Sequence, residues 1–376
     1  MGGHTLNYEI EFHPVGDGTK AGDAITIRYG QPGQYKVMVV DGGTEDSGNA
    51  IVKHIQSVYG ADTVISDIVS THPDTDHCSG LRVILKDLPV ERLWVHGLWH
   101  HAANMLNLFA DGRWTQEGLA QAIRKEYSIV EELITLASDK GAKVYEPFAG
   151  EKIGPFTVLS PTKEVYRHLV PQFRRTPEPN QEVLESRNIW LGDAHKGGFT
   201  GLLKSLVEAV TNWIPETWNN EKLKEGAVTA AENETSTVLY GDFGDSVVLL
   251  TGDAGVNALN WATDNATSLG LDISKSRLIQ VPHHGSRSNV TPSLLNRLIG
   301  PIQPENSPEK KIAIVSAPKD DAKHPRKMVL NAFKRRGAGV RSTQGVRYRY
   351  HSGMPPRTGE NTAEVFDLFT NVEAYD

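Results

Sequence analysis

A single cysteine, Cys78, stands among 376 residues, which excludes an internal disulfide and any multi-cysteine metal knuckle. No window approaches 18 uninterrupted apolar residues, so no membrane-spanning helix is expected. The first residues, Met1 to Glu9, lack the basic start and apolar run of a secretory signal, and a cytoplasmic protein is expected. Charge of neither sign dominates. The 39 Lys+Arg stand against 46 Asp+Glu, a formal net charge of -7 that argues against an indiscriminate polyanion binder. Composition (39% hydrophobic, 23% charged) excludes a wholly disordered or fibrous chain. The length allows one large domain or two ordinary ones, each able to bury a core.

What is present is an alternation of strand-like and helix-like runs. Apolar residues alternate from Ile25 to Tyr29, and Tyr35 to Val40 is mostly apolar, with Gly30, Pro32 and Gly33 marking the turn between them. A helix-like stretch covers Ala50 to Tyr59, and a buried strand covers Val64 to Val69. Gln116 to Lys140 carries Leu119, Ile123, Tyr127, Val130, Leu133 and Leu136 at the spacing of one helix face. Strands are expected at Val144–Tyr145, Phe156 to Leu159, Thr237 to Tyr240, Val247 to Thr251, Leu278 to Val281 and Ile312 to Val315. Helices are expected at Ser293 to Leu298 and Pro325 to Phe333. The texture changes over about 171–226, read as an insertion carrying one helix near Leu202 to Val210. Such alternation predicts a layered α/β fold.

Three compact motifs each follow a strand-like run. His72-Pro73-Asp74-Thr75-Asp76-His77 offers four ligands within six residues on a strand-to-helix loop, the nitrogen and oxygen donors that suit Zn²⁺ or Mn²⁺. The alternative is a solvated acidic turn with two ordinary histidines. In Thr251-Gly252-Asp253-Ala254 the aspartate sits where a carboxylate can bridge two cations, although Gly-Asp after a strand is also a common turn. In Val281-Pro282-His283-His284-Gly285-Ser286, adjacent histidines on an extended backbone would point to opposite sides, one to a metal and the other to substrate or to the groups behind the ligands; the alternative is a pair of ordinary surface or core histidines.

In this order the three motifs resemble the metallo-β-lactamase-fold hydrolases, and within them the soluble hydrolase domain of ComEC-type DNA-uptake competence proteins. Val15-Gly16-Asp17-Gly18 with Gly22-Asp23-Ala24-Ile25, Val40-Asp41-Gly42-Gly43, Asn233 to Leu239, Ile314-Val315-Ser316 and His324-Pro325 extend the resemblance over most of the chain. It implies a four-layer αββα sandwich over residues 1–350, with the insertion at about 171–226 and an acidic tail over 351–376. It further implies two divalent metal ions, Zn or Mn, held by His72, Asp74, Asp76, His77 and Asp253 and by one of His283 and His284. Asp41 would anchor the metal loop from below. Asp76 would also orient the nucleophile, and His324 would approach the site as a ligand or as a donor to a phosphate oxygen. Aspartate at 74 replaces the usual histidine, which shifts the preference toward Mn²⁺. The histidine expected between the first motif and Asp253 has no motif here. His96, His100, His101 and His195 are the candidates, each read as structural or surface. Cys78 is read as a packed side chain.

Between residues 322 and 359 lie ten Lys or Arg and no Asp or Glu. Beside a metal centre, such a strip is what a nucleic-acid backbone needs, and Ser286, Lys323, Arg335 and Arg336 are the candidate phosphate-binding residues. The competing reading pairs these charges with acids elsewhere in the chain. The expected function is therefore a soluble metal-dependent phosphodiesterase, a nuclease first, with nucleic acid or another phosphodiester as its partner. The alternatives are a metallo-hydrolase of a small ester (a phosphorylcholine-type phosphodiester, lactone, lactam or thioester) and a non-catalytic regulatory protein on the same scaffold.

Overall fold

The computed structural model describes residues 6–16, 21–188, 212–357 and 363–375. Two seven-stranded sheets dominate it. From edge to edge, the first runs Tyr348–Ser352, Asn7–Phe12, Ala24–Gly30, Lys36–Gly42, Ile65–Val69, Arg92–Trp94 and Lys143–Tyr145. The second runs Ala338–Ser342, Lys311–Val315, Leu278–Gln280, Val247–Leu250, Val238–Asp242, Phe156–Ser160 and Lys152–Ile153. Each sheet is antiparallel in one half and parallel in the other. A short third sheet pairs Trp213–Pro215 with Asn371–Glu373.

The two large sheets face each other across an apolar layer. Ile10, Ile27, Met38 and Val69 from the first share one buried cluster with Val158, Leu239, Val248 and Leu278 from the second. Strand periodicity explains it, since Tyr8, Ile10 and Phe12 alternate with Glu9 and Glu11 along one strand. Helices Glu45–His54, Thr75–Asp87 and Ser128–Asp139 cover the outer face of the first sheet through Ile51, Leu81 and Leu133. Helices Val256–Ser268, Pro292–Leu298 and Lys327–Arg335 cover the second through Leu259, Leu295 and Phe333. The layering is αββα. Helix Thr75–Asp87 lies almost in contact with the end of Lys36–Gly42, because any Cβ on Gly80 would collide with the Gly42 carbonyl.

The structure departs from the sequence reading in several places. Gln116 to Lys140 is two helices, Gln116–Glu126 and Ser128–Asp139, broken at Tyr127, whose backbone (φ -112, ψ 43) leaves the helical region. The helix over Val256–Ser268 and the strand over Asn7–Phe12 had no sequence counterpart. Asp76 and His77 already belong to the first turn of a helix, not to a loop. The described part of 351–376 packs on the second sheet's helices. Val372 is fully buried in its strand, and Glu373 accepts the backbone N–H of Lys327 at 3.0 Å, where helix Lys327–Arg335 begins. The helix expected near Leu202 to Val210, His195 and Asp17 lie outside the described residues.

Candidate metal centre

The carboxyl ends of parallel strands from both sheets converge at one end of the sandwich, where ligands of α/β sheets collect. Gly42 ends one such strand and carries Asp41 just before it; Thr71 and His72 follow Ile65–Val69; Asp253 follows Val247–Leu250; His283 and His284 follow Leu278–Gln280. The Thr237 N–H donates to the Thr71 carbonyl at 3.0 Å and so ties the sheets together here.

Asp41 organises the floor. It is buried, with φ +53, and its Oδ1 accepts the Thr71 N–H at 2.8 Å. Its Oδ2 accepts the Thr71 hydroxyl at 2.6 Å and His77 Nδ1–H at 2.8 Å. Because the Thr71 hydroxyl donates to Asp41, it accepts from His72 Nδ1, 3.0 Å away. His284 Nδ1 donates to the Ser316 carbonyl at 2.9 Å. His283 Nδ1 donates to Asn289 Oδ1 at 2.8 Å, while the Asn289 amide donates to the Asp253 carbonyl at 2.9 Å. All four imidazoles are thus anchored through Nδ1, that of His283 lying also 3.2 Å from the Asn233 amide nitrogen, which turns each Nε2 toward the centre.

Those Nε2 atoms gather around one carboxylate. They lie from Asp253 at 3.5 Å (His77), 3.6 Å (His283), 3.8 Å (His284) and 3.9 Å (His72). Nε2 of His72, His77 and His284, Oδ1 of Asp253 and Oδ2 of Asp23 are buried without any hydrogen-bond partner. Leaving one such group unsatisfied costs about 1–3 kcal/mol, so the three Nε2 atoms and the Asp253 oxygen that face one another call for a ligand, while Asp23 Oδ2 lies on the other side of the His77 ring, 3.8 Å from Nδ1. Donor atoms of Asp76, His77 and His284 lie within 4.8 Å of one another, as do those of Asp23, His77 and Asp253. Electrostatics agree with a cation. Burial opposes a charge on His77, yet Asp253 and Asp41 outweigh it and raise its pKa well above the usual histidine range. Burial, with the charge of His77 adding to it, holds His72 well below that range. Burial would raise Asp253, but the histidines around it hold its pKa low.

The histidine pair corrects its expected geometry. His283 and His284 have φ of +47° and +55° in a tight turn, not an extended strand, so both rings reach Asp253 rather than opposite sides. Backbone in this region is uncommon for non-glycine residues, and of five such positions among the described residues three (Asp41, His283, His284) lie in this centre. Gly285 continues the turn at φ +80, where a Cβ would press on the Pro325 ring 2.7 Å away. That contact brings the last motif to the site, with the His324 ring 6.4 Å from that of His283 and its Nδ1 3.1 Å from Asp321. Lys323 is half-buried on the same loop. Ser286 Oγ is occupied with Ser288 Oγ at 2.8 Å. Cys78 is buried under the loop, its thiol pushed up to about 12 by burial and donating to the His72 carbonyl.

Two expected residues are elsewhere. Arg335 and Arg336 sit at the far end of helix Lys327–Arg335, beside the start of strand Lys311–Val315, whereas Ser316 and the centre adjoin its end. Arg335 is fully buried, paired with Glu216 at 3.1 Å and donating to the Trp218 and Thr217 carbonyls. Arg336 pairs with Glu221 at 2.7 Å. Four more of the ten basic residues are paired with acids too, Lys334 with Glu309, Arg347 with Glu11, Arg349 with Glu9 and Arg357 with both buried carboxylates, while the Lys327 ammonium lies over the Trp213 ring and the Arg341 guanidinium over the Tyr348 ring. Among the histidines weighed for the missing ligand position, His101 bonds Glu146 at 2.9 Å and His96 stacks on Tyr166. Neither belongs to a ligand cluster among the described residues.

Several contributors were not assigned from sequence. Asp23 belongs to the Gly22-Asp23-Ala24 motif, a signal that carried no role. Asn289 follows the histidine turn. Arg174 reaches the centre from the segment read as an insertion and binds Asp74, and no periodicity or motif marks it.

The family model described as "Metallo-beta-lactamase superfamily" matches residues 25–147, and with the αββα layering it gives the chain the metallo-β-lactamase fold. Among solved structures, the metallo-beta-lactamase fold protein YhfI from Bacillus subtilis is 9% identical, with 92% of this chain and 100% of that one covered and a TM-score of 0.38. Zn(2+)-bound PqqB from Methylobacterium extorquens is 11% identical, covering 90% of this chain and 99% of that one, with a TM-score of 0.39. MEM-A1, a subclass B3 metallo-beta-lactamase from a soil metagenome library, is 11% identical, covering 77% and 85%, with a TM-score of 0.30. No curated protein matches the chain.

Proposed function

We propose that this protein is a metal-dependent hydrolase of ester bonds, with a small phosphodiester as its preferred substrate class. One observation carries the reading. Nε2 of His72, His77 and His284 and Oδ1 of Asp253 converge in the protein interior with no partner, on tautomers already fixed by their Nδ1 bonds. Asp76, His77, His284 and Asp253, with Asp23 beside them, would hold a divalent cation, Zn²⁺ or Mn²⁺. Such an ion supplies Lewis acidity and a coordinated water of lowered pKa.

The chain's own groups do the rest. Asp41 and Thr71 fix the orientation of His77 and His72, and Ser316 fixes His284. His283 is the least buried of the four imidazoles and remains open to the solvent side, placed to pass a proton to a leaving group. His324 and Lys323 rim the same mouth and supply donors to a substrate oxyanion. Most of the basic strip does not extend that rim, because five of its seven arginines (Arg335, Arg336, Arg347, Arg349 and Arg357) are paired with acids of the fold. This favours a small diester over a long nucleic acid.

The test is turnover. Chelator-stripped protein reloaded with Zn²⁺ or Mn²⁺ should hydrolyse bis-(p-nitrophenyl) phosphate, and Asp76→Ala should not. Single- and double-stranded DNA, RNA and p-nitrophenyl acetate complete the panel. Metal-dependent cleavage of DNA or RNA with no turnover of the small diester would reinstate a nuclease. No metal-dependent turnover of any ester would refute the hydrolase.

A further inference from the structure

We infer that the Arg174 guanidinium occupies the place of a second cation, so that the centre holds one divalent ion per chain rather than two. The inference rests on the metal-binding reading above and deepens it. In the two-ion expectation, His72 and Asp74 belong to the first ion. Asp74 Oδ2 does lie 3.9 Å from His72 Nε2. Yet both Asp74 oxygens are taken by Arg174 Nη2, at 3.0 and 2.9 Å, and the oxygen nearest His72 is one of them. The guanidinium neutralises this carboxylate and takes one lone pair on each oxygen, which weakens it as a metal ligand.

Arg174 is not a wandering surface side chain. Its backbone N–H donates to Glu232 Oε1 at 2.7 Å, and its Nε donates to the same oxygen at 3.0 Å. Glu232 is buried and receives the Tyr127 hydroxyl on that oxygen too, at 3.2 Å. The guanidinium is therefore held from behind by Glu232 and faces Asp74 by construction. Phe173, buried against Tyr127, fixes the chain just before it.

The remaining donors of the first seat are too few. His72 Nε2 and Asp253 are left: among the described residues no cluster of three donors within 4.8 Å includes Asp74, and the one that includes His72 joins it to His77 and to Asp41, whose two oxygens already accept from Thr71 and His77. Structural zinc sites use four ligands and catalytic ones at least three from protein. The positive charge of Arg174 also repels an incoming ion. By contrast, Asp76, His77 and His284 gather their donors within 4.8 Å of one another, His77 and His284 both face Asp253, and no Lys or Arg forms an ion pair with Asp76 or Asp253 among the described residues.

Metal stoichiometry tests this directly. Chelator-stripped protein is titrated with Zn²⁺ and its bound metal counted by mass spectrometry after gel filtration, with Mn²⁺ loading followed by electron paramagnetic resonance. Wild type should bind one ion, with an isolated Mn²⁺ signal. Arg174→Ala should take up a second, at least about 10-fold more tightly than wild type does, with an exchange-coupled Mn²⁺ signal. Asp74→Asn should keep one ion at unchanged affinity, which tests the inference even if Arg174→Ala does not fold. Two ions in wild type, only one in folded Arg174→Ala, or loss of an ion in Asp74→Asn would each overturn it. Zero ions in wild type would instead remove the metal-binding reading on which it stands.

Discussion

Replacing Arg335 with methionine separates a structural arginine from a phosphate-binding one. The guanidinium is fully buried and donates to the Trp218 carbonyl at 2.9 Å and to the Thr217 carbonyl, and it pairs with Glu216 at 3.1 Å. Removing one partner of a buried ion pair costs about 3–5 kcal/mol, because the other charge stays behind in the interior. Glu216 keeps the Asn331 amide at 2.6 Å and the Lys222 N–H at 2.8 Å, which softens its isolation and places the expected loss near the lower end, about 3 kcal/mol. Against a whole-domain stability of about 5–15 kcal/mol this is a large fraction. Urea unfolding followed by circular dichroism reads it as a lower midpoint at an unchanged slope. Adding Glu216→Gln should recover part of the loss, since the stranded charge is removed. Affinity for DNA, measured across salt concentrations with the folded variant, should not change. A stability change below about 1 kcal/mol together with a tenfold drop in DNA affinity would refute the reasoning and return Arg335 to the surface.

Asp41→Asn should weaken Zn²⁺ binding by about 10- to 100-fold in calorimetric titration, because an amide whose oxygen accepts from the Thr71 hydroxyl and His77 Nδ1–H turns its NH2 on the Thr71 N–H, donor against donor; an affinity within threefold of wild type would contradict this. His96 titrates at about 3 in the folded chain because burial disfavours its charged form. A depressed pKa gives stability that is present above pH 6.5 and lost as pH falls toward 3, amounting to about 2 kcal/mol by pH 5. His96→Phe should flatten that part of the stability–pH curve, and an identical slope in the variant would show that His96 is not its source. Leu81→Ala removes a fully buried side chain between helix and first sheet and should cost about 2–5 kcal/mol in urea unfolding.

The layered fold and the crowding of His72, Asp74, Asp76 and His77 at one strand end are legible in the sequence because their signals are local. Strand alternation and the run His72 to His77 place residues together by chain proximity, whatever the tertiary structure. The backbone at His283 and His284 was misread because an isolated pair of histidines does not show that the following Gly285, pressed against Pro325, forces a left-handed turn. The basic strip misled for a complementary reason. Charge is visible in sequence, but its partner is not, and Arg349 finds Glu9 across 340 residues. Arg174 and Glu232, 58 residues apart, were invisible for the same reason, since only the packing of the segment after Val170–Gln172 brings them to Asp74.

The central claim is that the His77, His284 and Asp253 cluster is a cation seat. Thermal unfolding of chelator-stripped protein with and without added Zn²⁺ or Mn²⁺ tests it, because an ion that binds only the folded chain adds about 2.7 kcal/mol at a concentration 100-fold above its dissociation constant. The account predicts a clear rise in Tm for wild type and none for Asp253→Asn or His284→Ala. An unchanged wild-type Tm, or an equal rise in all three proteins, would contradict it.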